Sequence, residues 1–170
     1  GLFGADFRSS ERLAQSIIQV AGRAGREDRP GEVLVQTAFP DNDFWRRLID
    51  GGYRRVSEDA LAEREATRWP PFTRLALLRS AAHQQRDAHA FLDTARRRIL
   101  AMQPQGLRVL GPVAAPMARK AGRYRAQLLL QSADRQALHT VLARLRPELE
   151  NDPAARRVRW SLDVDPIELF

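Results

Sequence analysis

Hydrophobic residues recur at helical spacing through residues 9–24, at Leu13, Ile17, Val20, Ala21 and Ala24. This period predicts a helix, with Ser9 or Ser10 available to cap its first amides. Gly22 and Gly25 fall where the pattern ends, and Asp28-Arg29-Pro30-Gly31 predicts a turn. Val33, Leu34, Val35 and Phe39 then predict a short buried strand, broken by Pro40 and Asp41. A second helix is expected from about Asp43, carrying Phe44, Trp45, Leu48 and Ile49 and ending at Gly51-Gly52. A polar helix follows near 57–68, with Leu61 and Ala62 as its main apolar positions. Trp69-Pro70-Pro71-Phe72 stops it, because proline lacks an amide to donate and disfavours helix in the residue before it. A domain boundary is expected within 52–70.

The pattern after Pro71 is more regular. Residues 73–81 alternate as a strand. Residues 86–102 carry one apolar stripe of Ala88, Phe91, Leu92, Ala95, Ile99 and Met102, which predicts an amphipathic helix. Gln103-Pro104-Gln105-Gly106 reads as a turn. Val109 and Leu110 begin a strand, and Gly111-Pro112 marks an irregular edge. Residues 123–131 set Tyr124, Ala126, Leu128 and Leu130 against Arg123, Arg125 and Gln127. A helix over 134–149 presents Leu138, Val141, Leu142, Leu145 and Leu149. In the last strand Val158, Trp160, Leu162 and Val164 share one face and Arg157, Arg159, Ser161 and Asp163 the other. The order is β-α-β-β-α-β, a split βαβ pattern. Two helices are expected on one face of a mostly antiparallel sheet, with the other face partly wet. The fold class is therefore α/β in content, and α+β in this C-terminal half.

Composition narrows the function. The chain has 170 residues, of which 44% are hydrophobic and 29% charged, a globular balance. No apolar run approaches the roughly 20 residues of a membrane-spanning helix. With no cysteine, neither a disulfide scaffold nor a cysteine-ligated zinc site is available in these residues. The sequence shows no charged-then-apolar leader and no initiator Met, which suggests part of a longer protein. Net charge is +7, and every basic residue except Lys120 is arginine. Residues 1–40 are neutral, so the whole excess lies beyond them. A basic globular region favours a polyanionic partner, nucleic acid first.

The sharpest motif is Gln19-Val20-Ala21-Gly22-Arg23-Ala24-Gly25-Arg26. Two arginines, each after a glycine, stand at the end of a helix. Glycine removes side-chain bulk, so a bulky anion can approach the backbone. Arginine offers a planar fork to phosphate and stays charged at any working pH. The spacing of Arg23 and Arg26 puts both on one side of a helical turn, and Gln19 lies one turn before Arg23. Such an arrangement suits charge stabilisation on a transferring γ-phosphoryl group. A helix C-terminus with glycine breakers and dipole-favoured arginines would read the same way.

The motif resembles motif VI of superfamily 2 helicases. Its flanks are similar to the PriA family of primosomal replication-restart helicases. They are Gly1-to-Gln15 (G-L-F-G-A-D-F-R-S-S-E-R-L-A-Q), P-G-E-V-L-V-Q-T, L-A-E-R with W-P-P-F, V-L-G-P and W-S-L-D-V-D-P. The resemblance runs from Leu2 to Ile167, and a RecG-type helicase would not share the last blocks in this arrangement. It implies that 1–52 is the C-terminal part of a RecA-like helicase lobe 2. By the same resemblance 53–70 is a helical linker, and 71–170 a C-terminal domain resembling ribosomal protein S ten. It implies a 3′–5′ DNA helicase, driven by ATP with Mg2+, that acts at stalled or repaired forks and helps reload the replicative helicase. Arg23 and Arg26 would contact the γ-phosphate, Arg26 as the finger, with Gln19, Gly22 and Gly25 at the nucleotide. The family's first lobe, zinc-binding cysteines and N-terminal DNA-binding domain are outside these residues, so no ATP hydrolysis is expected of this chain alone. A bacterial cytoplasmic, nucleoid-associated protein is implied.

The resemblance assigns the C-terminal domain to branched DNA and to partner docking with other primosome proteins. Arg119, Lys120, Arg123 and Arg125 concentrate in a segment, 107–131, that contains no acid. Gly122 permits a hairpin turn between them, a shape that grips phosphates without reading sequence. Tyr124 alternates to the opposite, core side. For the acidic, Phe-terminated tail of single-stranded DNA-binding protein, Arg135 matches the family position, and His139 stands where the family can have Gln. His83, His89 and His139 read as surface histidines. Asp163 and Asp165 read as a salt-bridge row with Arg157 and Arg159, Trp160 as core, and Trp69 as a pin for the linker. A stand-alone nucleic-acid-binding module and a non-unwinding translocase are the competing readings. Only the motif at 19–26 separates the first of them from a helicase.

Overall fold

A computed structural model describes residues 7–24 and 31–169. The chain divides into two compact units, Ala5–Arg68 and Trp69–Phe170.

In the first unit, helix α1 spans Ser9–Ala21 and helix α2 Asp43–Thr67. Arg8, not a serine, occupies the N-cap of α1, and no side chain caps it; Ser9 and Ser10 lie inside the first turn. The two expected helices at 43–52 and 57–68 are joined across a kink at Gly52, whose φ of 64° and ψ of −163° suit glycine alone. Asn42 caps α2 by accepting the Phe44 amide. The small core is Ala14, Leu48 and Val56, with Ile17, Phe44 and Tyr53 packed on it. Val56 and Ala60 are the buried positions of the second half of α2, whereas Leu61 and Ala62 are exposed. The face of α1 turned inward thus centres on Ala14, and Leu13 and Val20 are 45% and 59% exposed.

The expected strand at 33–39 does not form. Residues 31–37 are irregular, and Leu34 and Phe39 are largely exposed. A β-strand needs a neighbour to satisfy its amides, and no strand is found in the described part of this unit. The Asp28–Pro30 part of the expected turn lies outside the described residues.

The second unit follows the expected order: strand β1 (Arg74–Ala82), helix α3 (Gln85–Ala101), strand β2 (Leu107–Lys120), strand β3 (Arg123–Ser132), helix α4 (Arg135–Glu150) and strand β4 (Arg159–Val164). The sheet order is β2-β3-β1-β4, and all three pairings are antiparallel. The even positions of β1 and β3, Ala76, Leu78, Ala82, Ala126, Leu128 and Leu130, meet the two helical stripes in one core. From α3 come Ala88, Phe91, Leu92, Ala95 and Ile99; from α4 come Leu138, Val141, Leu142, Leu145 and Leu149. Trp160 packs on this core, its ring centroid 5.8 Å from that of Phe91. Register shifts after Leu110 and after Ala114 locate the irregular edge of β2.

The helix-free face is drier than expected. Leu75, Leu77 and Leu129, odd positions on β1 and β3, are at most 1% exposed. The C-terminal segment contributes to the cover. Asp165 turns the chain with φ 51°, its amide donating to Leu75 O at 2.8 Å. The Glu168 carbonyl accepts from Arg79 at 2.7 Å, and Leu169 is buried. This turn gives Asp163-Val164-Asp165-Pro166 its role, reversing the chain at the end of β4.

Candidate nucleotide and nucleic-acid sites

The Gly-Arg motif begins on the last turn of α1. Gln19 and Arg23 stand one turn apart and both are exposed. The helix ends at Ala21, earlier than expected. The Gly22 amide donates to Ile18 O, and the Arg23 amide to Val20 O at 3.0 Å. Gly22 itself is ordinary right-handed backbone, φ −65°, and a Cβ there would meet its nearest atom at 3.4 Å. The local fold does not require glycine at this position. Gly25 and Arg26 lie outside the described residues.

The basic hairpin is built by β2 and β3. Lys120 pairs with Arg123 across a two-residue turn in which Ala121 (φ 48°) and Gly122 (φ 74°) are both left-handed. Such a turn matches the twist of the flanking strands. Arg119 and Lys120 are exposed; Arg123 and Arg125 are half-buried. Tyr124 is half-buried too, and the Arg119 guanidinium lies over its ring, 5.2 Å from the centroid. None of the four cations has an ion pair among the described residues. They present fixed positive charge with donors to spare, which suits a polyanion.

Arg135 and His139 occupy one exposed face of the first turns of α4. The N-cap Asp134 accepts the Gln136 amide at 2.7 Å. His83 is also exposed, but His89 is half-buried, and its Nε2 is sealed from solvent without a hydrogen-bond partner.

The carboxylates near the C-terminus take other partners than the sequence suggests. Asp163 pairs with Arg79 at 3.1 Å and Asp165 with Arg74 at 3.9 Å. Arg157 and Arg159 are exposed and carry no ion pair among the described residues. Cross-strand register, invisible in sequence, makes this choice by bringing β1 beside β4.

Residues 65–167 match the family described as Primosomal protein N C-terminal domain. The chain belongs to that family. Among curated relatives of the primosomal protein N family, the replication restart protein PriA of Haemophilus influenzae is 43% identical over 99% of this chain. The PriA proteins of Treponema pallidum and Synechocystis are 35% and 31% identical over 100% and 97% of it. The chain spans 23%, 25% and 19% of those relatives' lengths. No described helix is long and apolar enough to cross a membrane.

Proposed function

We propose that this chain is the C-terminal portion of an ATP-dependent 3′–5′ DNA helicase of replication restart, and that its second unit binds branched DNA. The observation that carries the reading is the hairpin, where Arg119, Lys120, Arg123 and Arg125 are gathered without a carboxylate partner among the described residues. The names of the relatives, replication restart protein PriA, support the process. Phosphate contacts of this kind set affinity and salt dependence rather than base preference.

In the longer protein, Arg23 and Arg26 contact the γ-phosphate of ATP, Arg26 as the finger, and Gln19, Gly22 and Gly25 border the nucleotide. The relaxed backbone at Gly22 supports this: the glycine answers to something other than local geometry. ATP with Mg2+ supplies the phosphoryl group, and these residues hold charge against it. ATP turnover is a property of the longer protein, of whose relatives this chain spans 19–25%. Arg135, with His139 beside it, takes the terminal carboxylate of the tail of single-stranded DNA-binding protein. Other primosome proteins dock on the same unit, and the protein works in the bacterial cytoplasm at the nucleoid.

Fluorescence anisotropy of the 170-residue chain against forked DNA tests the DNA reading. Binding that weakens steeply with salt is expected, and replacing Arg119, Lys120, Arg123 and Arg125 by Gln flattens the salt dependence. Unchanged affinity in that variant rejects it. For the nucleotide reading, Arg26→Ala in the longer protein abolishes DNA-stimulated ATPase with DNA affinity retained; an unaltered turnover rejects the finger.

A further inference from the structure

The register of the sheet joins two groups of cations that are distant in sequence. Ala81 of β1 pairs with Arg125 of β3 on one side and with Arg159 of β4 on the other. Residues directly opposite in adjacent strands project from the same face. Tyr124 and Trp160, their chain neighbours, alternate toward the helices, and Trp160 packs on that core. Arg125, Ala81 and Arg159 therefore form a row across the helix-free face, its two arginines separated by two strand spacings, about 10 Å.

The cations of this face divide by position. Arg79, in the adjacent row between Gln127 and Ser161, is tied to Asp163 and to Glu168 O. Arg108, opposite Gln131 at the far end of the same face, donates to the Gln131 side-chain oxygen at 3.2 Å. Toward the hairpin the pattern reverses. Arg123, Arg125 and Arg159, and Arg157 at the C-cap of the 3-10 turn just before β4, carry no ion pair among the described residues. Ala81 between them is only half-buried and offers a low floor. Two guanidinium forks flanking a small residue leave room for a phosphate to enter from solvent.

We propose that the Arg125–Ala81–Arg159 row, continued by Arg157, extends the hairpin into a phosphate track that carries the DNA backbone across the sheet to the start of β4. The inference rests on the reading of this unit as a DNA-binding module and adds residues to that site. It makes the interface a path along one face rather than a grip by a single loop, so the sheet sets the direction of the strand.

The test compares variants of the 170-residue chain on forked DNA by anisotropy across a salt series. Arg157→Gln with Arg159→Gln lowers the slope of log affinity against log salt by about 0.7–0.9 for each phosphate no longer neutralised. A charge-matched control, Arg96→Gln with Arg144→Gln, removes two exposed arginines of α3 and α4 and leaves the slope unchanged. Ala81→Glu puts a carboxylate between the two forks and weakens binding more than the control does. Circular dichroism melting checks that each variant is folded; all five positions are at least partly exposed. If Arg157→Gln with Arg159→Gln matches the control while the hairpin variant loses affinity, the track is overturned and the hairpin reading stands. If the hairpin variant also matches the control, or the unaltered chain does not bind, both are overturned.

Discussion

The two units treat their apolar residues differently. In Trp69–Phe170, both helical stripes and the inner face of the sheet close on one core in which Phe91, Leu78, Leu128 and Leu145 are at most 1% exposed. In Ala5–Arg68, the core is Ala14, Leu48 and Val56 with partial cover from Ile17, Phe44 and Tyr53. Leu13, Val20, Leu34, Val35 and Phe39 are left exposed there. A stripe is buried only when a second layer meets it. The split βαβ unit contains both of its layers. The described part of the first unit has two helices and an irregular segment, and they bury only a small cluster between them.

The contrast is broken most directly in the core of the second unit. Phe91→Ala is expected to cost about 3–5 kcal/mol by removing a fully buried ring that packs on Trp160. Urea unfolding followed by circular dichroism measures it; a loss below about 1 kcal/mol would contradict the packing. A smaller loss, about 1–3 kcal/mol, is expected for Asp152→Ala. Asp152 pairs with Arg98 of α3 and also caps the short 3-10 turn Pro153–Arg156 by accepting the Ala154 amide. The same unfolding curve checks it.

The hairpin turn gives a pair of opposite sign. Gly122→Ala forces a Cβ into left-handed backbone and loses about 1 kcal/mol. Ala121→Asn, at a position already left-handed, gains up to about 1 kcal/mol, since asparagine tolerates that conformation better. Thermal midpoints moving in the same direction for both would show that the turn is not of this type. The smallest effect belongs to the first unit: Leu13→Gln alters an exposed side chain and shifts stability by no more than about 0.5 kcal/mol. A loss comparable to that of Phe91→Ala would mean that Leu13 is buried, and the contrast between units would fail.

Legibility follows the same division. Every position of the α4 stripe, Leu138 to Leu149, is readable from period alone and is buried. The α3 stripe is equally clear, apart from Met102, which caps the helix and is half-buried. Periodicity misleads where no second layer is present. Val33–Phe39 has the composition of a strand but no strand beside it among the described residues, and hydrophobicity alone favours Leu61 over Val56. Of the candidate sites, the basic hairpin is legible because its turn and its cations are contiguous. Sequence adjacency assigns Arg157 and Arg159 to Asp163 and Asp165 wrongly, since neighbours on one strand say nothing about which arginine stands opposite.

The sequence by itself determined the order of elements in the second unit, the faces of its helices, the hairpin and the family to which the chain belongs. These rest on local periods, turn chemistry and motif blocks, each contained within a few residues. Tertiary structure alone decided the burial of Leu75, Leu77 and Leu129 on the helix-free face, the return of the C-terminal segment beneath it, and the pairing of Arg74 and Arg79 with the two carboxylates. It alone set Arg125 and Arg159 on either side of Ala81. Those outcomes depend on the register between distant strands, which sets Ala76 opposite Val164 and is fixed by the packed core and not by any local preference.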